Sequence, residues 1–204
     1  MKKILISLYL ITCFSCSKEK NDGLFELMDK SETGIDFINK IENTDDGNIF
    51  NYRNFYNGGG VAVGDINNDG LPDVFFTANM GSNKLYLNKG DFHFDDITKK
   101  AGVAETDKWN TGVVMVDVNA DGWLDIYVCN AGYRKFTNKQ TNALFINNKN
   151  LTFTESAAQY GLDEGGYTTH AAFFDYDLDG DLDCYILNNS FIPVNTLDYA
   201  NDRN

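Results

Sequence analysis

A nine-residue acidic loop occurs three times in this chain. The copies read D-I-N-N-D-G-L-P-D from Asp65 to Asp73, D-V-N-A-D-G-W-L-D from Asp117 to Asp125, and D-Y-D-L-D-G-D-L-D from Asp175 to Asp183. Positions 1, 3, 5 and 9 carry side-chain oxygens in every copy. They are Asp65, Asn67, Asp69 and Asp73, then Asp117, Asn119, Asp121 and Asp125, then Asp175, Asp177, Asp179 and Asp183. A hard cation such as Ca²⁺ takes about six to eight oxygens, and alternate residues of a tight loop turn theirs inward. The carbonyl at position 7, belonging to Leu71, Trp123 or Asp181, offers one more. Gly70, Gly122 and Gly180 at position 6 permit the sharp turn, because glycine reaches backbone angles that other residues avoid. The pattern predicts one Ca²⁺ per loop, about three in all.

Two other readings compete. An EF-hand loop starts the same way but closes with a bidentate Glu at position 12 and has helices on both sides. Position 12 here is Phe76, Val128 or Ile186. The flanks, such as V-V-M-V and I-Y-V-C around the second loop, are short β-branched and aromatic runs that read as strands. Asp73, Asp125 and Asp183 must then close the site from position 9. The blander alternative is a set of solvated acidic turns, since Asp, Asn and Gly are common turn residues. Three copies of one ligand pattern argue against it.

The elements that must position these loops also repeat. L-Y-L-N-K-G-D-F-H-F (Leu85 to Phe94) aligns with L-F-I-N-N-K-N-L-T-F (Leu144 to Phe153), and a weaker copy runs from Phe25-Glu26 to Gly34-Ile35. The loops begin at residues 65, 117 and 175, and an insertion at Tyr133 to Thr141 lengthens the second interval. A period of about 50 to 60 residues with about four short strands per unit points to propeller blades. The fold class is therefore all-β: a partial β-propeller of about three four-stranded blades with the cation loops inside them. In the first unit the strands are expected at Gly60 to Gly64, Val74 to Ala78, Lys84 to Asn88 and Phe92 to Ile97. Lys99 to Val103 and Ser156 to Leu162 are expected as single helical turns, and Trp109, Tyr127, Phe173 and Phe174 as packing between sheets.

At 204 residues the chain holds one domain with a real core. Its net charge of −13 argues against nucleic acid as a partner, which selects basic surfaces. Crowded loop carboxylates repel one another, so cation binding should couple to folding. Residues 1–16 read as an export signal: Lys2 and Lys3 precede an apolar stretch from Ile4 to Phe14 that is shorter than the ~20 residues of a membrane span. Phe14-Ser15-Cys16 resembles a bacterial lipobox with Cys16 as the lipidated residue; Cys13 is the alternative, and a plain cleaved signal is a second one. Residues 17–23 read as a polar tether and 24–204 as the blades. This predicts an exported envelope protein, anchored by lipid to the outer membrane. Cys129 and Cys184 stand three residues out of register in equivalent strands, about 10 Å apart along the chain, and are expected as buried free thiols.

These loops resemble FG-GAP or VCBS repeats, the cation-binding blades also found in integrin α-subunit heads. Thr33-Gly34-Ile35-Asp36-Phe37, Asn57 through Asp65 (N-G-G-G-V-A-V-G-D), Lys84 to Asn88, Asp96-Ile97-Thr98 and Ala101-Gly102-Val103 are similar to bacterial members of the cartilage-acidic-protein-like family. The resemblance covers residues 24 to 190. It implies a ring of about seven blades, so the remaining blades of a longer propeller are expected outside these three units.

Little here points to catalysis. His93 is expected in a strand opposite Phe92 and Phe94, and His170 in the strand entering the third loop. Gly58-Gly59-Gly60 lacks the helix and lysine of a phosphate loop and fits close backbone packing instead. Two functions remain. One is a noncatalytic calcium-stabilised surface module that binds protein or glycan. The other is an accessory part of a larger exported enzyme.

Overall fold

The computed structural model describes residues 23–45, 47–131 and 140–189. The first unit is four strands, β1 (Val61–Gly64), β2 (Asp73–Phe76), β3 (Lys84–Asn88) and β4 (Phe94–Asp96), paired antiparallel in chain order. The second repeats it with β5 (Asn110–Val116), β6 (Asp125–Asn130), β7 (Ala143–Asn147) and β8 (Phe153–Glu155). The third is a two-stranded antiparallel sheet of β9 (Thr168–Phe174) and β10 (Asp183–Asn188). Of the three four-stranded blades expected, two are described in full; the third has two strands among the described residues, and the chain beyond Asn189 lies outside them.

Three single helical turns punctuate the chain: α1 (Lys30–Thr33), α2 (Thr98–Ala101) and α3 (Ala157–Tyr160). Each ends on a left-handed glycine, Gly34, Gly102 or Gly161, whose N–H returns to the first carbonyl of the turn. A residue with a Cβ would be strained there, and the repeated glycine fixes where each turn stops. Each turn also starts on a side chain: Asp29 accepts from Ser31 N, Asp96 from Thr98 N, and Glu155 from Ala157 N. The weak copy at residues 25 to 35 thus shares the helical turn and its cap. Its Phe25 is exposed, whereas Phe94 and Phe153 are buried.

The core lies between the sheets. Ala62, Phe75, Leu85 and Leu87 of the first meet Val113, Ile126, Val128 and Phe145 of the second. On its other face the second sheet places Tyr127, Cys129 and Leu144 against Ala171, Phe173, Cys184 and Ile186 of the third. Alternation along β6 produces this division, since successive side chains leave opposite faces of a strand. A separate aromatic cluster joins Tyr52, Phe55 and Trp109, with ring centroids 5.0 Å apart for Phe55 and Trp109.

Neighbouring first strands approach closely. A side chain at Gly60 would stand 2.8 Å from the Thr111 carbonyl and 3.0 Å from the Gly112 Cα. At Gly112 it would run into the Thr169 carbonyl. The Thr111 hydroxyl donates to the Thr168 carbonyl at 2.6 Å, and Thr77 donates to the Thr111 carbonyl. The sheets are therefore stapled to each other along their inner edge.

Several expectations are corrected by this geometry. Phe92 adopts φ +58 and is exposed, so the turn runs to His93 and β4 begins at Phe94. His93 is thus a turn residue, with its ring 3.3 Å from the Glu32 carbonyl. Phe174 closes β9 with its side chain 47% exposed, so it does not pack between described sheets. Cys129 is buried but Cys184 is only half-buried; both are free thiols. The leader, Cys16, most of the tether and most of the insertion at Tyr133 to Thr141 lie outside the described residues. No helix among the described residues is long and apolar enough to cross a membrane.

Candidate metal centre

Each acidic loop is the connection of an antiparallel hairpin between the first and second strands of its sheet. The closing pairs are Gly64 with Asp73, Val116 with Asp125, and Phe174 with Asp183. The ninth loop residue is therefore also the first residue of a strand. Its carboxylate reaches back across the loop: Asp73 accepts from Ile66 N at 2.9 Å, Asp125 from Val118 N at 3.1 Å, and Asp183 from Tyr176 N at 2.9 Å.

The first loop residue binds the turn from the other side. Asp65 accepts from Asp69 N at 3.2 Å and Gly70 N at 2.7 Å. Asp117 does the same to Asp121 N (3.0 Å) and Gly122 N (2.8 Å), and Asp175 to Asp179 N (3.2 Å) and Gly180 N (3.1 Å). The fifth residue accepts from the seventh, as Asp69 from Leu71 N, Asp121 from Trp123 N and Asp179 from Asp181 N. The backbone N–H groups thus fix the orientation of these carboxylates.

The loop backbone is more specialised than its glycines suggest. Position 6 is left-handed in all three, with φ +86, +85 and +97 at Gly70, Gly122 and Gly180. Position 4 is left-handed too, at Asn68 (φ +57), Ala120 (φ +56) and Leu178 (φ +64). Two left-handed residues with one between them coil the chain tightly at this turn. Sequence reading missed position 4, because Asn, Ala and Leu carry no common signal there.

A second missed element is an asparagine on the third strand. Asn88 N donates to Asp73 Oδ1 at 2.8 Å and Asn147 N to Asp125 Oδ1 at 2.8 Å. The same side chains brace the residue before the ninth: Asn88 Nδ2 donates to the Pro72 carbonyl at 2.8 Å and Asn147 Nδ2 to the Leu124 carbonyl at 3.0 Å. The signal was present in the repeated L-Y-L-N and L-F-I-N. Asp73 and Asp125 are fully buried by these contacts. Burial pushes both carboxyls above the ordinary carboxylate range, the N–H bonds pull them back, and the other loop aspartates push them up further.

The third loop has Asp177 where the others have Asn67 and Asn119. The carboxylate oxygens of Asp175, Asp177 and Asp183 lie within 4.8 Å of one another. That all-oxygen spacing fits a hard cation. Asp181 is held above its ordinary range by hydrogen bonding to Asp179 and by that residue's charge. Of the histidines, His93 is described above, and His170 faces a cleft of about 300 Å³ with Tyr52, Gly112 and Thr169.

An FG-GAP-like repeat model matches residues 65–128 and 134–186, which is more than half of the chain. The protein belongs to the FG-GAP-like repeat family. The first matched segment runs from the first acidic loop through the second into β6, and the second takes in the third loop and runs into β10. Cartilage acidic protein 1 of Xenopus tropicalis is 36% identical over 128 residues, which is 61% of this chain and 19% of that protein. Cartilage acidic protein 1 of Homo sapiens is 40% identical over 72 residues, 35% of this chain and 11% of that protein. This FG-GAP-like chain therefore spans less than a fifth of the length of these relatives.

Proposed function

We propose that this FG-GAP-like protein is a noncatalytic, calcium-stabilised module of the cell envelope whose blades present a binding surface to protein or glycan. The observation that carries the reading is the acidic hairpin loop repeated three times with the same N–H bonds. In each copy the first, fifth and ninth carboxylates are oriented by backbone N–H groups, and in the third loop three carboxylates crowd within 4.8 Å. Like charges held that close favour a cation between them. Asp65, Asn67, Asp69, Asp73 and the Leu71 carbonyl would hold the first ion. Asp117, Asn119, Asp121, Asp125 and the Trp123 carbonyl would hold the second. Asp175, Asp177, Asp179, Asp183 and the Asp181 carbonyl would hold the third. The ion supplies charge neutralisation and cross-links the two strands of each hairpin.

The loops are structural in this reading, and recognition belongs to the exposed surface of the stacked sheets. Further blades of a longer propeller would cover the open face of the third sheet. Anchoring follows from the leader, with Cys16 acylated and the outer membrane as destination. Calorimetric titration of the full chain with calcium tests the metal reading: about three equivalents and a raised melting midpoint are expected. Absence of heat together with an unchanged midpoint would overturn it. Mass spectrometry of the N-terminal peptide tests the anchor, and an unmodified Cys16 would reject it.

A further inference from the structure

The first and second loops carry the same four ligand types in the same order, Asp, Asn, Asp and Asp. Among the described residues, an ion pair sets the second apart. The Lys149 ammonium lies 3.3 Å from Asp121 Oδ2, the position-5 carboxylate of the second loop. This lysine is placed by the site's own scaffold: Lys149 N donates to Asn147 Oδ1 at 2.8 Å, and Asn147 N donates to Asp125 at the ninth position. The first sheet has the same chain of bonds, from Gly90 N to Asn88 Oδ1 at 2.8 Å and from Asn88 N to Asp73. Lys149 and Gly90 are therefore equivalent residues, and both are left-handed, at φ +62 and +89. A lysine accepts strain in that conformation where glycine does not. In the first loop Asp69 Oδ2 instead takes the Asn67 amide at 2.9 Å, a neutral donor.

On the calcium reading above, we propose that Lys149 is a built-in competitor at the second loop. Its ammonium neutralises Asp121 when no ion is bound and must leave that carboxylate, or be repelled, when a divalent cation arrives. The second loop therefore binds cation more weakly than the first, although their ligands are the same. It also stays ordered at lower calcium, because a positive charge is always present. The loops would then fill at different concentrations, and the second would be the calcium-responsive one.

Trp123 makes the second loop separately observable. It is one of two tryptophans, and the other, Trp109, sits in the aromatic cluster with Tyr52 and Phe55. The probe is terbium, bound to the full chain and excited through tryptophan. The readout is the luminescence component that Trp123→Phe removes. Lys149→Gln should tighten that component about fivefold at low salt, the scale of one partly exposed ion pair, and the gain should shrink as salt screens it. In chelator the same variant should lower the melting midpoint, whereas in saturating calcium it should not. A lysine with only a structural role would lower both midpoints. Terbium binding with an unchanged affinity in Lys149→Gln overturns this inference alone. No terbium binding by the unaltered chain overturns the calcium reading and this inference together.

Discussion

At the scale of single residues, the carboxylates of a loop are not equivalent. Asp121 accepts from the Trp123 N–H through Oδ1 and meets the Lys149 ammonium through Oδ2. Asp107 is exposed in a turn outside the loops. Asp121→Ala is therefore expected to lower stability by about 1.5–3 kcal/mol, the range for hydrogen bonds to a charged group. Asp107→Ala should change little. Equal melting midpoints of the two variants in saturating calcium would contradict this. The cysteines allow a second test. Cys129 is buried, and burial pushes its thiol up to about 12, with Cys184 adding to the shift. Cys184 is raised by burial as well, but is only half-buried. Because the thiolate is the reactive form, Cys184 should react with a disulfide reagent well before Cys129 in the native chain. Peptide mapping of a partially labelled sample checks the order, and preferential labelling of Cys129 would refute it.

At the scale of elements, the helical turns and the inner strands depend on different forces. Burial pushes Asp96 up, but bonds from Lys84 and Thr98 outweigh it and hold the carboxyl below its ordinary value. Asp96 Oδ1 takes Thr98 N at 2.9 Å, and Oδ2 takes Lys84 Nζ at 2.5 Å. A depressed carboxyl contributes stability above its unfolded pKa and loses it as pH falls through the folded one. Asp96→Asn keeps an acceptor for Thr98 N but loses the charge facing Lys84, so it should be less stable at neutral pH by up to about 1 kcal/mol, the scale of a partly exposed ion pair. The difference should narrow as pH falls below 3.8, the ordinary value for Asp. Denaturant melts at neutral and acid pH would measure this, and a gap that persists undiminished in acid would rule it out. The inner strands rest on close approach instead. Gly112→Ala would drive a methyl into the Thr169 carbonyl. A loss of about 1–3 kcal/mol is expected from such overpacking, and a variant as stable as the parent would disprove the close contact.

At the scale of the whole molecule, the third sheet differs from the second in what covers it. Tyr127 and Cys129 of β6 are buried against the third sheet. Tyr185 and Leu187 stand at the matching places of β10, two and four residues after the loop's ninth, and are 64% and 50% exposed. With Phe174 they make a face that carries the residue types of an inter-sheet core but is open to solvent. Such a patch favours association. The isolated chain should therefore self-associate at micromolar concentration, and Tyr185→Glu with Leu187→Glu should reduce it. Light scattering of both proteins decides the point. A stable monomer of the parent chain would remove the argument.

The sequence by itself determined the loops, the hairpins they join, the repeat and its glycine-capped turns, and through these the family. All are local: a nine-residue pattern, alternating strands and a left-handed cap are set by neighbours along the chain. Tertiary structure decided the rest. Asn88 and Asn147 brace the ninth carboxylate from another strand, and Lys149 reaches Asp121 only because β7 pairs with β6. The cysteines show the same limit. Their offset of three residues reads as separation along equivalent strands. An odd offset also turns side chains to opposite faces, and stacked sheets bring those opposite faces together, so Cys129 and Cys184 share one core. Which face meets which neighbour is a property of the packing between sheets, and no residue pattern within one sheet encodes it.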